Sequence, residues 1–310
     1  MTFAMVFPGQ GSQAVGMMQA YAGLPAVRET FAEASDVLGQ DLWALTADGP
    51  AELLNQTLNT QPVMLAAGVA VWRACEALGA PRPAVLAGHS LGEFTALVAA
   101  GALAFADALP LVRYRAQVMQ EAVAEGTGAM AAVLGLDDAA VQAVCADAAQ
   151  GEVLEAVNFN SPGQVVIAGQ RSAVERGMAL AKERGARRAL PLPVSVPSHC
   201  ALMLPAAERL AERLAGVEVR LPAIPVLQNA DVVAWTTADE IRSALVRQLH
   251  RPVRWVETVQ KMAADGVTRS FECGPGKVLA GLNKRIVEGL DSVALADAAA
   301  VGVFAGGTSC

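Results

Sequence analysis

PAVLAGHSLGEFTALVAAG, residues 83–101, sets the architecture of this chain. Pro83–Ala87 is a short apolar run of strand character, and Glu93–Leu103 has the length and composition of a buried helix. Between them Gly88-His89-Ser90-Leu91-Gly92 matches GxSxG. By composition alone a chain of this length shows that pattern by chance about one time in ten, so the flanking elements carry the reading rather than the five letters. A strand running in and a helix running out is the setting of a nucleophile elbow, in which the serine is forced onto a sharp turn and the glycines let strand and helix approach. The backbone N–H of Leu91, at the start of the following helix, is free to meet an oxyanion formed above Ser90, and the helix dipole favours that charge.

Outward from this stretch the βα alternation continues. Thr2–Phe7 reads as a strand, Pro25–Leu38 as a helix, Leu202–Ala215 as a helix, Ile224–Gln228 as a strand, Ala238–His250 as a helix and Arg269–Cys273 as a strand, the grammar of a parallel sheet covered by helices. Residues 126–195 follow a different order: strand Ala129–Leu134, helix Asp138–Ala149, strands Val153–Phe159 and Gln164–Ala168, helix Ala173–Arg184 and strand Arg188–Val194. This βαββαβ succession is ferredoxin-like. The expected fold is therefore α/β, a large domain of residues 1–125 and 196–310 interrupted by a small inserted one at 126–195.

A serine hydroxyl needs a base, and the chain has three histidines. His89 adjoins the serine on a turn where adjacent side chains diverge, so it braces the turn. His250 ends the run EIRSALVRQLH, where a cation complements the helix dipole. His199, in the loop PVSVPSHC after a predicted strand, can reach over the edge of the sheet and is the expected base. No Asp or Glu is placed to orient it, and a backbone carbonyl could do so instead. Cys200, next to it, is expected to be a buried structural thiol.

Pro8-Gly9-Gln10-Gly11-Ser12-Gln13-Ala14 loosely fits the dinucleotide fingerprint. That fingerprint requires a second strand ending in an acid about twenty residues on, and here the helix PAVRETFAEASDVLG occupies that place. The alternatives are a plain strand-to-helix turn, or a loop that abuts the elbow and supplies a second oxyanion donor from the Gln10 amide. Ala108, Val112, Arg115, Met119 and Ala122 form one helical stripe. An arginine on an apolar stripe needs an anion, either a substrate carboxylate or an internal Asp or Glu. Arg113, on the face with Gln117 and Gln120, is expected to be solvated.

Composition excludes several classes. The net charge of −7 disfavours nucleic acid as a partner. The five cysteines show no CxxC pair, which argues against structural zinc and against a disulfide framework. The longest apolar stretch, Phe94–Ala106, is thirteen residues, short of the roughly twenty that span a bilayer, and MTFAMVFPGQG lacks a basic leader. No membrane association and a cytoplasmic location are expected. With no coiled coil or long exposed apolar helix, so is a monomer.

In this order and spacing, PGQGSQ, GHSLGE, Arg115, NFNSPGQVVIAG, PLPVSVPSHC, VRQLHRPVRW and GPGKVL resemble the malonyl-CoA:acyl carrier protein transacylases of bacterial fatty acid synthesis, from residue 2 to about 295. The resemblance implies an α/β-hydrolase-like large domain with a ferredoxin-like insertion and the site between them. It implies Ser90 as nucleophile, His199 as base, the Gln10 and Leu91 amides as oxyanion hole, and Arg115 as the seat of the malonyl carboxylate. It also implies that the main-chain carbonyl of Gln248 orients His199. Ser198 occupies a position that varies with acyl choice in related polyketide acyltransferases. The expected substrates are malonyl-CoA and the phosphopantetheine thiol of an acidic acyl carrier protein, with Lys182, Arg187, Arg188, Lys277, Lys284 and Arg285 as candidate contacts. No metal or redox cofactor is expected, since a base and an oxyanion hole suffice for thioester exchange. Three rivals stand beside this reading: a serine thioesterase or esterase, a non-catalytic docking subunit, and a malonyl transferase serving a polyketide or malonate decarboxylase carrier. VGVFAGGTSC, residues 301–310, departs from the family and is expected to be a frayed tail without a role.

Overall fold

Phe3–Phe7, five buried residues in a row, form strand β1, the pattern of a strand covered on both faces. The computed structural model describes residues 2–194 and 196–306. After β1 come helices α1 (Pro25–Leu38), α2 (Leu42–Asp48), α3 (Ala51–Leu54) and α4 (Thr57–Ala77), then β2 (Val85–Gly88), α5 (Gly92–Ala99) and α6 (Phe105–Glu121). A second group comprises β3 (Gly128–Leu134), α7 (Asp138–Ala149), β4 (Leu154–Ser161), β5 (Gln164–Gln170), α8 (Arg171–Glu183) and β6 (Arg188–Pro191). The chain continues through α9 (Leu204–Ala215), β7 (Val226–Leu227), α10 (Ala238–His250), α11 (Trp255–Ala264), β8 (Arg269–Glu272), α12 (Val278–Ile286), β9 (Asp291–Ala294) and α13 (Ala298–Ala305).

The strands make two sheets. The larger has the order β7-β2-β1-β8-β9 and is parallel throughout. The smaller, β4-β5-β3-β6, is antiparallel throughout, as the βαββαβ order implies. In the larger sheet β1 and β2 are neighbours in register, with Phe7 opposite Gly88. Their following loops therefore emerge side by side at the carboxyl end of the sheet, the edge where open parallel sheets bind ligands. The smaller sheet is fastened across that edge by backbone bonds from Phe159 to the Val253 carbonyl (3.0 Å) and from Val253 to the Val157 carbonyl (2.8 Å). Among the described residues no helix is long and apolar enough to cross a membrane.

Two elements escape a periodicity reading for opposite reasons. Most of α4 is buried, from Thr57 through Cys75, so it lacks a polar stripe to betray its period. Strand β9 is four residues with only Ser292 buried, too short and too polar to announce itself.

The C-terminal stretch corrects the expectation of a frayed tail. Asp297 caps α13 by accepting a bond from the Ala300 amide at 2.7 Å, and Val301 and Phe304 are buried. The Phe304 ring packs on Phe271 (4.4 Å between centroids) and edge-on to Phe3 (5.7 Å), closing the far end of the main core. Residues 307–310 lie outside the described residues. Phe304→Ala is expected to cost about 3 kcal/mol, read as a fall of several degrees in a thermal melt. A melt unchanged within a degree would return this helix to the status of a tail.

Candidate active site

The turn between β2 and α5 is sterically specified. Ser90 has φ 52°, a left-handed conformation that a non-glycine residue holds only where its surroundings enforce it. A Cβ on Gly88 would lie 1.9 Å from the Gly92 carbonyl, and one on Gly92 would lie 2.1 Å from the Phe7 carbonyl oxygen. The two glycines thus let α5 start directly against β1 and β2, and they project Ser90 from the sheet edge.

His199 meets it from the opposite side. Its Nε2 is 2.8 Å from Ser90 Oγ, and its Nδ1 is 2.7 Å from the Gln248 carbonyl oxygen. A carbonyl can only accept, so Nδ1 carries the proton and Nε2 offers its lone pair to the serine hydroxyl. The backbone of His199 is itself left-handed, φ 67°, and its amide donates to the Leu249 carbonyl at 2.9 Å. Both anchors come from the last turn of α10, whose start is set by Thr237 accepting from the Glu240 amide. Gln248 itself is fully buried and touches three partners: its carbonyl takes His199, its Nε2 donates to the Ser90 carbonyl at 2.9 Å, and its Oε1 accepts from Arg115 at 2.8 Å.

Arg115 reaches the same point from α6. Its side chain is buried, and Nη1 donates to Gln61 Oε1 at 2.8 Å while Nη2 donates to Gln248 Oε1 at 2.8 Å and lies 3.4 Å from Ser90 Oγ. Its direct partners are neutral, and Nε has none among the described residues. Burial lowers its pKa to about 10, which leaves it a cation at neutral pH. The nearby acid is Glu93, fully buried on α5, with its pKa raised to about 7 by burial. Among the described residues Arg115 makes no ion pair with a carboxylate. A buried cation whose direct hydrogen-bond partners are all neutral has the chemistry to accept a small anion.

Two further backbone N–H groups have no partner among the described residues: that of Leu91, at the start of α5, and that of Gln10, in the loop after β1. The Gln10 loop is held close, since a Cβ on the neighbouring Gly9 would lie 2.4 Å from the His89 carbonyl oxygen. Gln10, Leu91, Ser90, Arg115 and His199 line one cavity of about 110 Å³ together with Met119, Met130 and Val196, so it lies between the two sheets.

The remaining predicted positions sort differently. His89 points away from the nucleophile, with Nε2 2.8 Å from Asn160 Oδ1 on β4 and its ring packed against Trp255. His250 lies half-buried in the last turn of α10, where the sequence placed it, and burial with the adjacent Arg251 lowers its pKa. Arg113 is half-buried instead of free in solvent: it donates to the Leu38 carbonyl at 3.2 Å and to Gln40, tying α6 to the end of α1. Cys200 is fully buried, with its thiol pushed up to about 12 by burial, and is no nucleophile. Sequence reading missed Gln61, Glu93 and Asn229. Glu93 stands in GHSLGE, where an acid inside an apolar run is itself a signal. Gln61 and Asn229 carry none, being single amides in a helix buried almost all round and in the loop after a two-residue strand.

The pKa of His199 is pushed down to about 3 by burial and by the Arg115 cation. The imidazole is thus neutral, and competent as a base, throughout the physiological range. The rate of Ser90 modification per encounter, kcat/KM, is expected to show no acid limb near the unperturbed 6.5. An anion bound to Arg115 would cancel part of that cation's effect, so the acid limb of kcat should lie at higher pH than that of kcat/KM. A kcat/KM limb at the unperturbed value would contradict this.

The acyl transferase domain family matches residues 4–304. The malonyl CoA-acyl carrier protein transacylase of Escherichia coli K12 is 59% identical over 300 residues, covering 96% of this chain and 97% of that protein. The one of Bacillus subtilis 168 is 45% identical over 296 residues, covering 95% and 93%. Among solved structures, the acyl-carrier-protein S-malonyltransferase of Burkholderia pseudomallei 1710b superposes with a TM-score of 0.97 at 58% identity, covering 99% of this chain and all of that one. A malonyl-transacylase solved in complex with a type II PKS acyl-carrier protein also superposes with a TM-score of 0.97, at 54% identity and 99% coverage of both chains.

Proposed function

This chain belongs to the acyl transferase domain family, and we infer that it transfers a malonyl group from malonyl-CoA to the phosphopantetheine thiol of an acyl carrier protein through an ester on Ser90. The observation that carries the choice of acyl group is Arg115, a buried cation without a carboxylate partner, 3.4 Å from the Ser90 oxygen. In a Ser90-bound malonyl group the free carboxyl carbon is three bonds from that oxygen, roughly 3–4 Å in space. A guanidinium at this distance suits a one-carbon spacer, whereas a longer diacid would overshoot it and acetyl would leave it unmatched.

The steps follow from the contacts. His199 Nε2 takes the proton of Ser90 as Oγ adds to the thioester carbonyl, and the oxyanion is held by the Leu91 and Gln10 amides. As the C–S bond breaks, His199 returns the proton to the CoA thiolate. The carrier thiol then enters, His199 takes its proton, sulfur adds to the ester carbonyl and the proton goes back to Ser90. Donor and acceptor use the same site in turn, so the kinetics are ping-pong. Neither half-reaction changes an oxidation state, and one copy of the chain holds every residue involved, which supports action as a monomer.

Lys182, Arg187, Arg188, Lys277, Lys284 and Arg285 are all exposed and suit an acidic carrier. A second reading, transfer to a polyketide carrier, is favoured by the relative solved with such a partner. Intact-mass spectrometry with malonyl-CoA and acetyl-CoA tests the reaction. Selective, stable malonylation is expected, whereas CoA release with no adduct would indicate a hydrolase. Competition between fatty-acid and polyketide carriers for the malonyl-enzyme separates the two readings by rate.

A further inference from the structure

Asn229, two residues beyond β7, is fully buried, and each of its four polar groups is used. Its Oδ1 accepts from the Ser90 amide at 2.7 Å, and its Nδ2 donates to the Gly88 carbonyl at 2.6 Å. Its own amide donates to Glu93 Oε2 at 2.7 Å, and its carbonyl accepts from the Arg254 amide at 3.1 Å. The pairing of β7 with β2 runs through Leu86–Val226 and Ala87–Leu227 and stops there. Beyond it the left-handed turn at Ser90 carries the backbone out of line with any neighbouring strand, yet buried amides still need partners. The Asn229 side chain, a primary amide, acts as a detached peptide group that continues the ladder across His89 to both sides of the turn.

The loop bearing Asn229 is itself held under strain. Val232 has φ 57°, a genuine outlier for a β-branched residue. It is retained by bonds between Val232 and the Gln228 carbonyl (2.8 Å) and between Gln228 and the Val233 carbonyl (3.1 Å). Asp231 adds a pair with Arg247 and accepts from Trp235 Nε1 at 3.0 Å. A strained loop over-determined on every side, with one buried amide aimed at the nucleophile's own peptide, is a device for setting that peptide's angle.

We propose that Asn229 is a positioning residue for acyl transfer, holding Ser90 in its left-handed conformation so that Oγ faces His199 and the Leu91 amide faces the oxyanion, with Glu93 fixing Asn229 from behind. This rests on Ser90 being the acylated residue. Failure of the wild type to take up malonyl would defeat that reading, whereas uptake by wild type and variants at equal rates would defeat this one.

The test is single-turnover malonylation of Asn229→Ala and Asn229→Asp by rapid-quench mass spectrometry. Displacement of reacting groups by about an ångström typically costs on the order of 100-fold, so Asn229→Ala should lose about that in kcat with KM within roughly threefold of wild type. Should the alanine variant fail to fold, the isosteric Asn229→Asp carries the test. Ionised, it turns an oxygen toward the Gly88 carbonyl and should be slow; protonated, it donates there as the amide does. Its rate relative to wild type should therefore rise as pH falls from 8 to 6. Glu93 on α5, with its pKa raised to about 7 by burial, titrates in the same window and would couple to the new carboxylate. Both proteins are therefore compared in a Glu93→Gln background, where an amide oxygen still accepts from the backbone of residue 229; Arg115 on α6, Asp231 on its own loop and Arg254 before α11 are common to both. Rates within threefold of wild type, a loss confined to KM, or a ratio independent of pH would each overturn the proposal.

Discussion

Arg115→Ala is expected to lower malonyl transfer to Ser90 by roughly 10²- to 10³-fold while leaving acetyl transfer unchanged or faster. Truncating one partner of a buried, hydrogen-bonded charge pair costs about 2–5 kcal/mol, and each 1.4 kcal/mol is about a factor of ten. The loss falls only on an acyl group that carries a carboxylate. For acetyl-CoA two smaller effects work the other way. Removing the cation relieves the depression of His199, making it a stronger base, and it leaves space beside Met119. Arg115→Lys should retain part of the malonyl preference, since a point charge cannot match both carboxylate oxygens as a guanidinium does. Parallel acylation by the two donors measures the ratio. If both fall by the same factor in Arg115→Ala, the residue merely supports the elbow through Gln248 and does not recognise the acyl group.

The second large effect is expected at the dyad. Ser90→Ala should give no covalent adduct with malonyl-CoA at any time, and His199→Ala should slow acylation by roughly 10⁴-fold, the upper range for removal of a general base. The two differ in reversibility. His199 is almost fully enclosed, so its removal leaves a hole of imidazole shape, flanked by the Gln248 carbonyl on one side and Ser90 on the other. Added imidazole should restore a measurable fraction of the rate in His199→Ala and nothing in Ser90→Ala. An adduct that persists in Ser90→Ala would move the nucleophile elsewhere and sink the assignment.

How much of this was legible in the sequence depended on whether a residue's environment is local. Strand–turn–helix at residues 83–101 is a local signal, and the structure keeps its order: β2 and α5 flank Ser90, although α5 stops at Ala99 instead of the expected Leu103, ahead of the left-handed Gly101 (φ 73°). Helices α1, α9 and α10 have one apolar and one polar face and were readable to within a residue or two. Helix α4 and strand β9 were not, because neither total burial nor a four-residue polar strand leaves a period. At the site, elimination among three histidines pointed to His199, and a wheel put Arg115 on a buried stripe without choosing between a substrate carboxylate and an internal acid; only the family resemblance made that choice. The partners that complete the arrangement are amides from segments far apart in the chain, Gln61 on α4 and Asn229 after β7. An amide's role depends on what faces it in space, and the sequence does not encode that at short range. The misreading of Arg113 has the same origin: a polar helix face was taken to be solvated, and the end of α1 partly covers it.

The small sheet is fixed to the large one at two nearby points on β4, the Val157–Val253–Phe159 backbone bridge and the His89–Asn160 contact. Further ties, Glu155 accepting from the Ala201 amide at 3.2 Å and Arg285 donating to Gln164 at 3.0 Å, hold the small sheet away from that line as well, which leaves it little hinge to swing on. Selection among donors then falls to equilibrium fit against walls that do not yield, with no closing motion to add a second check. Turnover should track how fast thiols thread in and out past the rim, and a branched or bulky acyl group should be refused at entry instead of being trapped and released.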